Sequence, residues 1–352
     1  MSLQVNDPNV RRWVRAWLLL VGFMVYAIIL IGGLTRLTDS GLSITEWEPI
    51  KGALPPFNET AWAELFDKYK ATTEYRAQNA GMSLSEFQYI FWWEWGHRLF
   101  ARLIGLVAVG GFAIFAALKW LNWPLARRLL LLIVLGGLQG FIGWWMVASG
   151  IGETSRVDVA PYRLMVHFCL ALLIIALTAC TWLELGSRRV QYPSDQEGGR
   201  IAVLILILVG VQLAAGALVA GLDAGRTYTD WPLMAGEVFP SDYYERGLGL
   251  RSLFEGRAAT QFNHRILAYL LMAVSVFAWL RYRGRDFAIV AGLVCAQAVW
   301  GVLTLVTVAP LPLALVHQGL GVIVLLASIN LVWARRSKFS YPSERGRRAR
   351  SA

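Results

Sequence analysis

The sequence has little charge for its size. Charged residues make up 16% of its 352 residues, whereas hydrophobic residues make up 57%. Soluble globular domains carry about 25% charged residues, so this composition excludes an ordinary soluble domain and indicates a polytopic membrane protein. The net charge of +10 does not make nucleic acid an expected partner, because the basic residues cluster in short loops between apolar runs. That placement is the positive-inside pattern of membrane proteins.

Cysteine is also scarce. The three cysteines, Cys169, Cys180 and Cys295, lie inside apolar runs, and no Cys-x-x-Cys is present. Neither a zinc site nor a loop disulfide is therefore indicated, and all three are expected to be small buried hydrophobic residues. A cleavable signal peptide is not expected either, since the first apolar run is as long as a full span and lacks a small-residue cleavage site.

Eight apolar runs come near or exceed the roughly 20 residues that cross a bilayer. They are 13–34, 95–120, 129–149, 162–183, 201–222, 263–280, 287–308 and 311–333. Arg11, Arg12 and Arg15 precede the first run, and the remaining basic clusters fall on the same predicted side of the membrane. We therefore predict an all-α integral membrane protein of eight transmembrane helices, surrounded by lipid, with both termini in the cytoplasm.

These runs divide the chain into regions. We predict a cytoplasmic N-terminus 1–12, a first half 13–185 with a long outer loop 35–93, a cytoplasmic linker 186–200, a second half 201–334 with an outer loop 223–262, and a basic cytoplasmic tail 335–352. The tail is expected to be disordered from about Phe339 onward. Within the first outer loop, residues 64–73 and 83–90 could form short helices on the membrane surface.

The two halves resemble each other in sequence. Asp39-Ser40-Gly41 and Thr45-Glu46-Trp47 are matched by Asp223-Ala224-Gly225 and Thr229-Asp230-Trp231 at an offset of 184. Further pairs follow at decreasing offsets because the connections in the first half are longer: His97 with His264, Gln139 with Gln297, and His167 with His317. Four spans in each half give both halves the same orientation, so we predict a parallel duplication into two four-helix bundles.

Histidine is rare, and all four histidines fall at equivalent places. His97, His167, His264 and His317 lie near the outer ends of even-numbered spans, two in each half. Ionisable groups within a membrane are costly and usually functional. Two imidazoles at one depth, on two helices of a bundle, are what a bis-histidine haem site requires. Interfacial side chains and a copper site are the alternatives, although no methionine-rich or cysteine-rich cluster accompanies the histidines.

Two arginines directly follow histidines, Arg98 after His97 and Arg265 after His264. They could pair with haem propionates by charge-assisted hydrogen bonds or serve only as interfacial anchors. Asp39 and Asp223 lie in Asp-Ser-Gly and Asp-Ala-Gly, for which turn formation is a sufficient explanation.

The halves differ most informatively three residues before the first histidine of each. Glu94 stands there in the first half and Gln261 in the second, on the same helix face as the histidine that follows. A site that only holds a haem needs no acid, whereas a site of chemistry uses one as a base or to stabilise positive charge. The alternative is that Glu94 is a solvated loop residue or pairs with Arg98 at a spacing of four. Arg36 is likewise matched by Ala220.

Several longer motifs resemble haem A synthase, a membrane enzyme that supplies haem A to cytochrome oxidase. They are Gly32-Gly33-Leu34-Thr35-Arg36-Leu37-Thr38, Asp39-Ser40-Gly41-Leu42-Ser43, Glu46-Trp47, Pro49, Gly52-Ala53-Leu54-Pro55-Pro56, Glu86-Phe87, Glu94-Trp95-Gly96-His97-Arg98, His264-Arg265 and Val316-His317-Gln318. The resemblance covers about residues 11–335.

The resemblance implies an activity and a role for each histidine pair. The family oxidises the C8 methyl group of haem O to a formyl group through successive hydroxylations, with oxygen taken from water. His97 and His167, with Arg98, match the substrate haem site, and His264 and His317, with Arg265, match the site of a bis-histidine haem b cofactor. Glu94 matches the catalytic glutamate. It would stabilise a cationic methyl-oxidised intermediate or deprotonate the attacking water.

The resemblance also implies a setting. The outer loops contain no cysteine, as in the alphaproteobacterial and mitochondrial group of the family, so the electron acceptor stays unidentified. The N-terminal segment is too short for an obvious mitochondrial presequence, so we expect a bacterial inner membrane with the haem sites near the periplasmic face. Haem O synthase is the partner that the family suggests for substrate delivery, and a homo-oligomer is compatible with the sequence.

Two other functions remain open at the level of sequence. A di-haem b-type electron-transfer cytochrome would use the same bis-histidine sites but give Glu94 no purpose. A transporter with duplicated halves and histidine proton relays would bind no haem.

Overall fold

The computed structural model describes residues 3, 5, 7–152, 154, 156–186 and 196–335. Apart from an isolated bridge between Met234 and Glu237, their regular structure is helical. The α-helices are α1 (Pro8–Leu37), α2 (Glu59–Lys70), α3 (Thr73–Gln78), α4 (Leu84–Ala117), α5 (Trp123–Val147), α6 (Pro161–Glu184), α7 (Gln196–Gly221), α8 (Ser252–Glu255), α9 (Arg257–Tyr282), α10 (Arg285–Val306) and α11 (Leu311–Arg335). Among them, eight are long and apolar enough to cross a membrane, which confirms the eight predicted spans.

The second span begins earlier than hydropathy predicts. Helix α4 starts at Leu84 because Ser83 and Glu86 form a capping box, in which each side chain bonds the backbone N–H of the other residue. The separate surface helix predicted over residues 83–90 is therefore wrong: those residues are the first turns of the span. Its first turns pack against the aromatic residues of α2 in the outer loop.

The first outer loop carries two short helices and an aromatic core of its own. Helices α2 and α3 replace the single helix predicted over residues 64–73, since Thr72 ends one helical turn and caps the next. Phe66 and Tyr69 of α2 stack on Phe87 of α4, at ring-centre distances of 5.0 and 5.3 Å. All three side chains are buried, so the loop is a packed lid on the end of the spans. We call this end of the molecule the loop face.

The spans pack in two groups of four. Helix α1 contacts α4 and α6, and α5 contacts the same two helices; α7 contacts α9 and α11, and α10 contacts the same two. Helix α6 packs on α7, and α1 packs on α11, where the groups meet. The division into two duplicated four-helix bundles stays a prediction. The predicted linker 186–200 and basic tail 335–352 lie mostly outside the described residues.

One arginine joins the two groups at the loop face. Arg36, near the end of α1, donates to Asp39 at 2.7 Å and to Asp223 after α7 at 2.5 Å. Asp158 lies 3.8 Å from the same guanidinium. Asp39 and Asp223 have positive φ angles of 49° and 50°, which confirms the predicted turns. The Arg36 cluster, as we call these four residues, therefore ties equivalent turns of the two halves to a single cation.

Candidate functional site

The structure brings the histidines together in the two predicted pairs. His97 of α4 lies near enough to His167 of α6 for an electrostatic interaction. In the second half, the rings of His264 on α9 and His317 on α11 have centres 6.5 Å apart and planes inclined by 79°. Both pairs lie in the loop-face half of the spans, several turns from the opposite helix ends.

Each histidine ring lies over a glycine of a neighbouring helix. A Cβ atom at Gly143 would approach His167 Cε1 to 2.9 Å, and one at Gly301 would approach His317 Cε1 to 2.8 Å. Gly216 faces His264 in the same way at 3.1 Å, and Gly32 faces His97 Nε2 at 3.3 Å. Any larger residue would push the imidazole away, so four glycines provide the space in which the rings stand.

Three of the four histidines also contact a glutamine. The Nε2 atoms of Gln139, Gln212 and Gln297 lie 3.1–3.2 Å from the Nδ1 atoms of His167, His264 and His317, and each donates to the carbonyl of the same histidine. The Oε1 atoms of all three glutamines are buried without a hydrogen-bond partner in the described part of the chain. A metal-bound imidazole keeps an N–H on its other nitrogen and usually donates it to an acceptor. Half a turn of each amide would place such an acceptor beside Nδ1, at the loss of the hydrogen bond to the histidine carbonyl.

His97 is the exception. The position of α1 that corresponds to Gln212, at the offset of 184, is Ile28. An isoleucine has no polar atom to orient an imidazole, so His97 is held by packing against Gly32 rather than by a glutamine.

These features fit a haem between the two histidines of each pair. Imidazole–metal bonds are about 2 Å long, so two imidazoles on opposite sides of one metal ion have centres about 6 Å apart, near the spacing of His264 and His317. Within the described residues, no group of three histidine, cysteine or acidic side chains could hold a bare metal ion. A macrocycle supplies four of its own ligands and needs only two from the protein. The unpartnered glutamine oxygens are the orphaned atoms that a ligating histidine would use.

Glu94 is buried and fully engaged with the first outer loop. Its side chain is only 3% exposed. Oε2 accepts hydrogen bonds from the Ser43 hydroxyl and the Ile44 backbone N–H, both at 2.7 Å, and Oε1 accepts one from Arg98 at 2.6 Å. The structure thus excludes a solvated Glu94 and shows the pairing with Arg98 that the spacing of four allowed. The carboxylate joins the loop to the helix turn that carries His97.

Gln261 occupies the equivalent place, but it donates a hydrogen bond to the loop where Glu94 accepts one. Its Nε2 donates to the Tyr228 carbonyl at 2.9 Å, and its Oε1 is buried without a partner in the described chain. Tyr228 corresponds to Ile44, whose N–H donates to Glu94. The second half therefore retains the contact between loop and helix but not the negative charge.

Arg98 and Arg265 both hold loop carbonyl groups. Arg98 donates to the carbonyls of Ile44 and Glu46, and Arg265 donates to those of Tyr228, Asp230 and Leu233. Arg265 Nε is buried without a partner in the described residues. Anchoring of the loop is thus the role that the contacts show, and binding of propionates stays a prediction.

Comparison with known proteins identifies the family of the chain. Residues 15–329 match COX15-CtaA, described as cytochrome oxidase assembly protein. The chain belongs to this family. A Heme A synthase of Hyphomonas neptunium is 63% identical over 337 residues, covering 95% of this chain and 96% of that protein. Proteins of the same name from Dinoroseobacter shibae and Brucella ovis are 46% and 45% identical, over 94% and 92% of this chain and 88% and 92% of their own lengths. The predicted family resemblance is confirmed.

Membership of COX15-CtaA extends over the whole site, since Glu94 and all four histidines lie within the matched residues. Reasoning from sequence did not identify the glutamines and glycines around the histidines as functional. A signal for them was present. Gln139 and Gln297 share the offset of Gly143 and Gly301, and Gly32 and Gly216 share that of the duplicated turns. A search for every residue identical at those offsets would have found all of them except Gln212, which corresponds to Ile28.

Proposed function

We propose that this protein is a haem A synthase, which oxidises the C8 methyl group of haem O to a formyl group with water as the oxygen source. The observation that carries the proposal is the buried carboxylate of Glu94, three residues before His97, where the second half has the neutral Gln261. Electron transfer between two haems needs no general base, whereas oxidation of a methyl group by water does. The names of the relatives that this chain resembles along nearly its whole length support the same function.

In this proposal the two pairs hold different haems. His97 and His167 hold the substrate haem O, and His264 and His317 hold a haem b. When bound, haem b supplies an acceptor for the electrons released by the substrate. The chain's own contribution there is to orient both imidazoles through Gln212 and Gln297. Propionates could share the guanidinium groups of Arg98 and Arg265 with the loop carbonyls.

Glu94 acts on the substrate side. A carboxylate has about four acceptor positions, and Ser43, Ile44 and Arg98 occupy three. One acceptor position is left for a water molecule, which the fixed carboxylate can orient and deprotonate as it attacks the oxidised methyl carbon. The same negative charge stabilises positive charge that develops on that carbon. Conversion of methyl to formyl with oxygen from water releases electrons and protons in equal number, so a nearby proton acceptor is required throughout.

The setting follows from the same function. We propose that the protein lies in the bacterial inner membrane with both termini in the cytoplasm, so that the loop face and the haem sites are periplasmic. Haem O arrives from haem O synthase, and an electron acceptor yet to be identified reoxidises the protein.

The test is haem extraction and chromatography on membranes from cells that make haem O, with and without this chain. Haem A appearing only when the chain is present is the expected result. Bound haem b without conversion of haem O, in the presence of a supplied acceptor, would identify an electron-transfer cytochrome instead. Purified protein with no Soret absorption would favour the transporter.

A further inference from the structure

A lateral groove opens beside the first histidine pair. Its lining is Trp47 of the outer loop with Gly137, Gly140, Phe141 and Trp144 of α5, and its volume is 340 Å³. That volume falls in the range of ligand clefts, about 300–1,000 Å³. Gly137 and Trp144 are seven positions apart, a rise of about 10 Å along the helix, so the groove extends down the span from the loop face. The lining is apolar and faces the side of the bundle.

The groove adjoins the substrate site. A smaller cavity of 120 Å³ lies beside it and shares Trp47 and Trp144 with it. This cavity also touches Arg98, the residue after His97. On α5, Gly140 is one turn from Gly143, over which the ring of His167 stands. A molecule held between the two histidines could therefore extend a chain directly into the groove.

The residues that line the groove are not repeated in the second half. At the offset that relates Gln139 to Gln297, the groove residues Gly137, Gly140, Phe141 and Trp144 correspond to Cys295, Ala298, Val299 and Val302. Both glycines are replaced by residues with side chains, and both aromatic residues are replaced by valine.

The loop tryptophans differ as well. Trp47 packs against Trp144 with ring centres 6.2 Å apart. Its counterpart, Trp231, donates its indole N–H to the Tyr269 hydroxyl of α9 at 2.8 Å. The indole is thus held against α9 rather than over the helix that corresponds to α5.

We propose that this groove binds the isoprenoid tail of the substrate haem, and that Gly137 and Gly140 set the preference for haem O over haem b. The inference rests on the proposed function, because it needs a tailed haem between His97 and His167. Haem O and haem b differ chiefly in this long apolar substituent, and the half assigned to haem O has a groove that could receive it. Burial of an apolar chain in such a groove also orients the ring, since the tail leaves it at one edge.

The experiment fills the groove without disturbing the fold. A Cβ atom at Gly137 or Gly140 would meet no atom within 4 Å, and leucine favours helix over glycine. Gly137→Leu and Gly140→Leu would be purified as full-length protein in nanodiscs, beside wild type. Gly292→Leu of α10 is the matched control, because it is also exposed and its Cβ meets no neighbour. Conversion of haem O would be followed against its concentration, with haem b as a tail-free competitor.

We expect both groove variants to raise the KM for haem O by about tenfold or more, because several apolar carbons lose their burial. The inhibition constant of haem b should change little, and Gly292→Leu should behave as wild type. Wild-type KM values in both groove variants would overturn the proposal, including the case in which they lose only a co-purified lipid. Failure of wild type to convert haem O would instead overturn the proposed function, so the two failures are distinguishable.

Discussion

The two halves of the molecule share a framework and differ at a few positions around one histidine. Both hold a pair of imidazoles over glycines, and both fix a loop to the helix end through an arginine. In the first half Glu94 replaces Gln261, and Ile28 replaces Gln212. The shared framework thus positions two histidines in each half. The substitutions in the first half put a charge near His97 and remove the amide that would orient its ring.

Removal of single histidines should separate the halves most sharply. His264→Ala should abolish the bound haem b, since one of two axial ligands is lost, whereas His97→Ala should retain it and lose conversion of haem O. Pyridine haemochrome content and haem chromatography on the purified variants give both quantities. Equal loss of haem b in the two variants would contradict the assignment of separate roles to the pairs.

The junction between the halves depends on the Arg36 cluster. Arg36→Ala leaves Asp39, Asp158 and Asp223 close together without their cation, and the guanidinium is only 14% exposed. The three carboxylates are 39–46% exposed, so the cost lies below the roughly 3–5 kcal/mol of a fully buried pair, and we expect a lower midpoint of thermal unfolding in detergent.

Lys68→Ala is the control for this prediction. Its ion pair with Glu46 is 44% and 50% exposed, and exposed pairs contribute only about 0–1 kcal/mol. A midpoint for Arg36→Ala no lower than that of Lys68→Ala would show that the cluster does not hold the halves together.

A smaller effect is expected from Glu74, which lies buried in the first outer loop. Burial away from water raises the pKa of Glu74 to about 8, and the charge of Glu94 adds to this. Between its ordinary pKa and about 8, the folded protein holds a proton that the unfolded chain releases. Stability should therefore fall as pH rises through that window and become level above it.

Thermal midpoints at about pH 5.5 and about pH 8.5 test this, with Glu74→Gln expected to lose less stability than wild type. Glu86→Gln is the comparison in the same loop. The Ser83 hydroxyl, followed by its backbone N–H, lowers the pKa of Glu86, so its titration lies below the window. An unchanged pH dependence in Glu74→Gln would contradict the burial of a protonated carboxyl.

The hydropathy pattern made the spans predictable from sequence, and the rarity of histidine made the two pairs predictable. The eight apolar runs predicted the eight spans correctly, because a bilayer requires long apolar segments and the loops contain none. Four histidines in matched surroundings predicted the two pairs, which the structure places on α4 and α6 and on α9 and α11. The start of α4 was predicted too late because its first turns are polar, although the spacing of Ser83 and Glu86 is that of a capping box.

Other features depend on contacts that no local pattern encodes. Glu74 lies in a polar stretch typical of exposed loops, and only the packing of α2 and α3 against α4 buries it. Asp158 and Asp223 are far apart in sequence and meet only because α1 ends between them. The groove beside α5 reads locally as a glycine-rich helix. The groove is recognised only in the structure, where Trp47 of the outer loop joins the α5 residues that line it.

The most direct test of the account exchanges the residues that distinguish the halves. Glu94→Gln gives the first half the amide of the second, and Gln261→Glu does the reverse. We expect Glu94→Gln to lower conversion of haem O to haem A at least about 100-fold, with haem b content unchanged as proof of folding. Gln261→Glu should still convert haem O. Extraction and chromatography of haems measure the haem A that each variant forms. Haem A formed by Glu94→Gln at the wild-type rate would contradict the central role of this carboxylate.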